Sequence, residues 1–307
     1  MHFLTLQLCS RLCLVLVFNF FAISNGNQEY VPGTPGAAWT LEEMLVVKAK
    51  LFGIFGKHGG HRTGEGKPEQ HWFSETKALR LGFHDCLKYK DGSGGCDGCL
   101  NWEGMKDLPY NKGTPYGFPT SLDGNNNGLA HTAVVLEKIY TDPEYPISNV
   151  GPYAPTLNVS LKASGKSRAD LWAFAAITAL EYTIETNNMV CDGTFQNNPM
   201  IQCNYMAGKP GCRVELPRAI KFRTGRKDCT DFGAEGYIAT KEESETHPHG
   251  SGQMTVDFFK KDFGFTGRET VAIMGSHTIG SFHSTFSLMP YTWTTKGTRS
   301  FNNVYYK

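Results

Sequence analysis

The stretch Arg80-Leu81-Gly82-Phe83-His84-Asp85-Cys86 carries more chemistry per residue than any other part of this chain. Ser74 is a suitable N-cap, and the run from there to about Cys86 reads as a helix. Leu79, Phe83 and Cys86 recur at steps of four and three, which marks them as its apolar face. Arg80 and His84 are four apart and so share another face. An imidazole base beside a fixed cation suits a reaction in which a proton moves while an oxygen gains negative charge. Taken alone, a pair at this spacing reads rather as a surface arginine beside a satisfied core histidine.

A second segment lies nearly two hundred residues later. Gly275-Ser276-His277-Thr278-Ile279-Gly280 closes the helical pattern Arg268–His277. A histidine in that apolar setting is a core residue or an axial metal ligand. Other helices read from the sequence are Leu41–Phe55, opened by a capping box of Thr40 and Glu43, and a segment after Gly128 with Leu129, Thr132, Ala133, Leu136 and Tyr140 on one face. A further helix runs from Ser167 and Asp170 to about Glu185. It is apolar on most sides, as a central helix is. Met254–Phe263 is helical, and 187–241 reads as loops. Few segments alternate with period two, so the fold class is mainly α.

Arg11, the apolar run Leu12 to Ala22 and the small-x-small site Ala22-Ile23-Ser24 form a signal peptide over residues 1–24, the alternative being an N-terminal anchor. The domain then occupies 25–307 in an exported protein, with no membrane association after signal removal. Net charge is +1 and no basic stripe appears, so nucleic acid is not an expected partner. Seven cysteines remain after residue 24: Cys86, Cys96, Cys99, Cys191, Cys203, Cys212 and Cys229. An oxidising compartment favours disulfides, with one cysteine left over, while the Cys96–Cys99 spacing leaves a zinc hairpin as the alternative. Asn158-Val159-Ser160 is a glycosylation sequon. His247 and His249 read as part of a solvated loop.

Together the segments at 80–86 and 275–280 resemble the haem peroxidase superfamily of plants, fungi and bacteria. Between them, Ser167-Arg168-Ala169-Asp170-Leu171 looks like the family's central-helix signature and Gly225-Arg226-Lys227-Asp228 like its G-R-x-D turn. The resemblance runs from about residue 40 to 307. It implies a two-lobed fold with haem b between distal and proximal helices, the distal lobe extending to about residue 187. His277 is then the iron ligand, Arg80 and His84 the distal catalytic pair, Phe83 a neighbour of the peroxide, and Asn126 the acceptor that fixes the tautomer of His84. Trp293 matches the tryptophan beneath the haem in the intracellular class, and His283 a residue near a haem propionate.

The resemblance also implies distal calcium held by Asp85, Gly95 and Asp97, with Cys99 standing where the family has serine. It implies a proximal cation at Thr278 and Thr294, with Asn302 standing where the family usually has aspartate. A Cys86–Cys96 disulfide follows from the secretory class. The ascorbate-binding arginine of plant ascorbate peroxidases would fall near Phe286, so ascorbate use by that route is not expected. The proximal aspartate would lie beyond Lys307, so the sequence is read as incomplete at its C-terminus. The expected function is reduction of hydrogen peroxide with one-electron oxidation of an unidentified small organic or protein donor. The alternatives are a secreted haem-binding or structural protein of the same fold without turnover, and a zinc-dependent extracellular domain.

Overall fold

The computed structural model describes residues 29–58, 74–100, 126, 129–145, 156–192, 210, 212–215, 220–233, 236, 238, 251–279 and 304–306. Residues 1–24, Cys203, His247, His249, His283, Phe286, Trp293, Thr294 and Asn302 lie outside them. The described part is helical: α1 (Leu41–His58), α2 (Glu75–Asp85), α3 (Ala130–Thr141), α4 (Arg168–Cys191), α5 (Gly252–Phe263) and α6 (Gly267–Met274). Short 3-10 turns follow at Gly275–Thr278 and Val304–Tyr306. An isolated bridge pairs Lys88 with Gly94, and no strand occurs among the described residues. None of the described helices is long and apolar enough to cross a membrane.

The first helix begins where its capping box predicts. Thr40 N donates to Glu43 Oε2 at 2.6 Å, and Glu43 N donates to Thr40 Oγ1 at 3.1 Å. Val47, Leu51 and Phe55, one turn apart, are fully buried. They pack on α4, which also receives α2 and α3. Helix α4 is buried on several faces, with Leu171, Trp172, Ala175 and Ala179 on one and Phe174 and Ile184 on others, as its sequence requires.

The apolar face expected for α2 is not the one the fold buries most deeply. Ala78, Leu81, Gly82 and Asp85 face inward, while Leu79, Phe83 and Cys86 are only partly covered. The reason is close approach. A Cβ on Gly82 would stand 2.5 Å from that of Ala176, so α2 meets α4 through small residues. That contact leaves Arg80, Phe83 and His84 outside the most buried face.

Helix α4 runs six residues past the expected end, to Cys191. Asn187 and Asn188 look like loop residues, but their side chains bond the 212–214 segment. Asn187 Nδ2 donates to Cys212 O at 3.2 Å, and Val214 N donates to Asn188 Oδ1 at 2.8 Å. The Cys191–Cys212 disulfide closes the same junction. The N-terminus of α4 is anchored by two motif segments that grip each other. Arg168 N and Ala169 N donate to the Asp228 carboxylate at 3.0 and 2.9 Å. In return, Gly225 N and Arg226 Nη1 donate to Asp170 at 2.8 and 2.9 Å. The 167–171 and 225–228 motifs are thus a reciprocal clamp on the central helix.

Disulfides join Cys86 to Cys96, Cys99 to Cys229 and Cys191 to Cys212. The Cys96–Cys99 spacing is therefore not a zinc hairpin, since each cysteine is bonded elsewhere.

Candidate active site

Helix α2 carries Arg80, Phe83 and His84, the residues expected on the distal side. One turn separates Arg80 from His84, and Arg80 Nε donates to His84 Nε2 at 3.3 Å. On the other side of the ring, His84 Nδ1 lies 2.8 Å from Asn126 Oδ1. An amide oxygen only accepts, so Nδ1 carries the proton and Nε2 is the lone-pair nitrogen. Asn126 is 2 % exposed and is reached from a segment forty-two residues away. Phe83 meets the His84 ring edge-on, with centroids 5.9 Å apart.

Charge is expensive here. Burial first, then the Arg80 charge, pulls the His84 pKa down to about 3, against a smaller upward pull from Asn126. The charge of His277 adds to the downward pull, so the two imidazoles lie within electrostatic reach of each other. Burial likewise lowers Arg80, to about 10, which leaves it cationic at neutral pH.

His277 sits in the 3-10 turn after α6 rather than inside the helix. That tighter turn brings its Nδ1 to 3.0 Å from the Met274 carbonyl. Nδ1–H donates there, which makes Nε2 the ligand-type nitrogen. Burial lowers its pKa, opposed by the Met274 bond. The ring of Tyr305 stacks on the imidazole at 5.1 Å and 27°, a contact with no signature in the sequence beyond an aromatic tail. Thr278 is 1 % exposed, and its hydroxyl donates to Gly275 O at 3.0 Å. Trp293, His283 and Thr294 lie outside the described residues.

Asp85 and Asp97 come together where the 86–99 loop folds back over the end of α2. Gly98 N and Cys99 N donate to Asp85 Oδ1 at 2.8 and 3.3 Å, and Cys99 N also donates to Asp97 Oδ1 at 3.2 Å. The second oxygen, Asp85 Oδ2, is buried and has no hydrogen-bond donor among the described residues. Burial, then Asp97, push the Asp85 carboxyl well above the usual range. A cation is one species that would relieve both costs. Gly95 adopts φ +97° beside them. No cluster of three or more His, Cys, Asp or Glu side chains able to hold a metal occurs among the described residues, so any ion here would draw on backbone oxygens too.

A peroxidase family model matches residues 157–306, a span that includes α4, the 225–228 turn and His277. No curated protein matches the chain. The matched span ends beyond His277, and Arg80, Phe83 and His84 on α2 lie upstream of it. The 167–171 and 225–228 motifs, the clamp they form on α4 and the imidazole after α6 all fall inside the matched span: residues 157–306 are similar to the peroxidase family.

Proposed function

We propose that this protein is a haem-dependent peroxidase that reduces hydrogen peroxide and oxidises a donor one electron at a time. The observation that carries this reading is the setting of His84. Its Nδ1 is satisfied by Asn126, its Nε2 is beside Arg80, and the imidazole of His277 lies within electrostatic reach. The side chains suit a haem: His277, an imidazole of fixed tautomer, would hold the iron, and His84 and Arg80 would supply a neutral base and a cation for the peroxide.

In this reading His277 Nε2 would hold the iron, and the stacked Tyr305 ring restrains the imidazole plane. When bound, haem supplies the electrons that divide the peroxide and draws them back from the donor. The chain's residues manage protons and charge. His84 Nε2 takes the proton from one peroxide oxygen and returns it to the other as that oxygen leaves as water. Arg80 stabilises the negative charge that grows on the departing oxygen. Phe83 shapes the space next to His84. Trp293 and His283 would serve near the iron ligand and a haem propionate.

Two cation sites belong to the same reading. Asp85, Gly95 and Asp97 would hold calcium on the distal side, and Thr278 with Thr294 a proximal cation. Export after removal of residues 1–24 is supported by the three disulfides and by the exposed Asn158 of the sequon. The domain would run from residue 25, with its lobes meeting near residue 187.

One observation favours the second reading, a haem binder without turnover. The Nδ1 partner of His277 is a backbone carbonyl, which makes the imidazole a weaker donor than a carboxylate partner would. An absorption spectrum of the mature protein with haem, before and after peroxide, separates the two. A haem band that changes on adding peroxide and returns with donor supports the enzyme. An unchanged band supports the binder. Failure to take up haem removes both.

A further inference from the structure

Phe83 stands between two rings. On one side it meets His84, and on the other it leans on Phe259 at 6.1 Å and 43°. Phe259 is 1 % exposed. It is held from behind by Phe258, Phe263 and Phe265, with centroids 5.3, 5.6 and 6.0 Å away. All four rings come from α5 and the turn after it, so Phe259 is braced locally before it touches α2. Helix α5 leads through α6 to His277, while α2 carries His84. The Phe83–Phe259 contact therefore ties the wall bearing the base to the segment bearing the candidate iron ligand.

We infer that Phe259 is a positioning residue that holds the Phe83 ring beside His84, and so restricts the oxidant to hydrogen peroxide over alkyl hydroperoxides. This rests on the peroxidase reading above. Hydrogen peroxide has no substituent to accommodate, whereas an alkyl hydroperoxide must place its carbon group next to the oxygen that His84 protonates. A braced Phe83 occupies that volume. Shortening Phe259 opens a cavity behind Phe83 into which its ring relaxes, because packed interiors leave no slack at such contacts.

The test uses the haem-loaded wild type with Phe259→Ala and Phe259→Leu. Rates with hydrogen peroxide and with tert-butyl hydroperoxide are measured by stopped flow. Binding of methyl and tert-butyl isocyanide to the ferrous protein is measured by absorption, independently of turnover. In Phe259→Ala the tert-butyl to unsubstituted ratio of rates is expected to rise about tenfold, the lower end of what fit in an apolar pocket discriminates. The isocyanide ratio should shift the same way. Phe259→Leu should show a smaller rise in both, and it decides the matter if the alanine variant does not fold. Parallel losses with both peroxides and an unchanged isocyanide ratio would reduce Phe259 to a core residue while leaving the peroxidase reading intact. A wild type that takes up no haem overturns that reading, and this inference with it.

Discussion

The Oδ1 atom of Asn126 lies 2.8 Å from Nδ1 of His84, and that contact decides which imidazole nitrogen faces Arg80. Asn126→Val removes the acceptor without adding a charge. The ring is then free to turn or to carry its proton on Nε2, where it is no base. The rate with peroxide is expected to fall by about ten- to a hundredfold, the scale on which losing a histidine's orienting partner acts. Stopped-flow mixing of the haem-loaded variant with peroxide checks it. A rate equal to that of the wild type would remove Asn126 from the mechanism.

The acid limb of the same reaction should lie near pH 3. His84 in the fold titrates at about 3, because burial and then the Arg80 charge disfavour the imidazolium. It is therefore a neutral base from just above pH 3 upward. The unfolded chain takes up that proton near pH 6.5, so His84 contributes full stability above 6.5 and loses it as the pH falls from there towards 3. Arg80→Leu removes the second-largest of the three downward pulls, leaving burial and the His277 charge. Its acid limb should move upward, and its rate should fall by about a hundredfold or more. A wild-type limb near 6.5 would mean that His84 is solvated in the working protein.

Parts of this arrangement could be read from the sequence, and the reason is local. Arg80 and His84 share a helix face because they are four apart, and the Thr40–Glu43 capping box fixes the start of α1 from adjacent residues. What could not be read depends on distant partners. Ser167–Leu171 and Gly225–Asp228 were visible as strings, but their hydrogen bonds span 55 to 60 residues. The loop-like Asn187 and Asn188 stayed helical because the 212–214 segment bonds their side chains. The most buried face of α2 differs from the one that Leu79, Phe83 and Cys86 predict because Ala78 and Gly82 are only weakly apolar, yet small size is what lets α2 meet α4. Phe259 and Tyr305 carry no spacing signal that separates them from ordinary core aromatics.

Removing each imidazole should have different consequences. His84→Ala deletes the base and leaves the contacts of His277 untouched, so haem stays bound while peroxide reduction slows by about a hundredfold or more. His277→Ala deletes the iron ligand, so haem itself is held more weakly. Haem titration followed by absorption, alongside the peroxide rates, distinguishes them. If His277→Ala binds haem as the wild type does, another residue is the ligand.

Asp85 makes calcium dependence measurable. Its buried Oδ2 has no donor among the described residues, and its carboxyl is pushed well up by burial and by Asp97. A divalent cation would hold it ionised. Calcium at about a hundred times its Kd should add about 2.7 kcal/mol of stability, which a chelator reverses. In Asp85→Asn the increment should vanish. Thermal unfolding with and without calcium reads it, and a midpoint indifferent to millimolar calcium would remove Asp85 as a ligand.

The disulfides should separate stability from catalysis. Cys99–Cys229 joins residues 130 apart, whereas Cys86–Cys96 spans 10. Chain-entropy loss in the unfolded state gives about 5 kcal/mol for the first and about 3 kcal/mol for the second. Their neighbours point the same way. Cys229 follows Asp228, which anchors α4, and Cys99 N helps hold Asp85, so this bond ties the clamp on the central helix to the loop over α2. Cys86 lies two residues from His84 and ends the helix that carries it. Replacing Cys99 and Cys229 by alanine should therefore lower the urea midpoint more than replacing Cys86 and Cys96. The latter pair should cost more in the rate with peroxide than in stability, because freeing the end of α2 loosens His84 before it unfolds the core. If the Cys86–Cys96 variant lost the most stability and kept its peroxide rate, the short bridge would be holding the fold rather than the base.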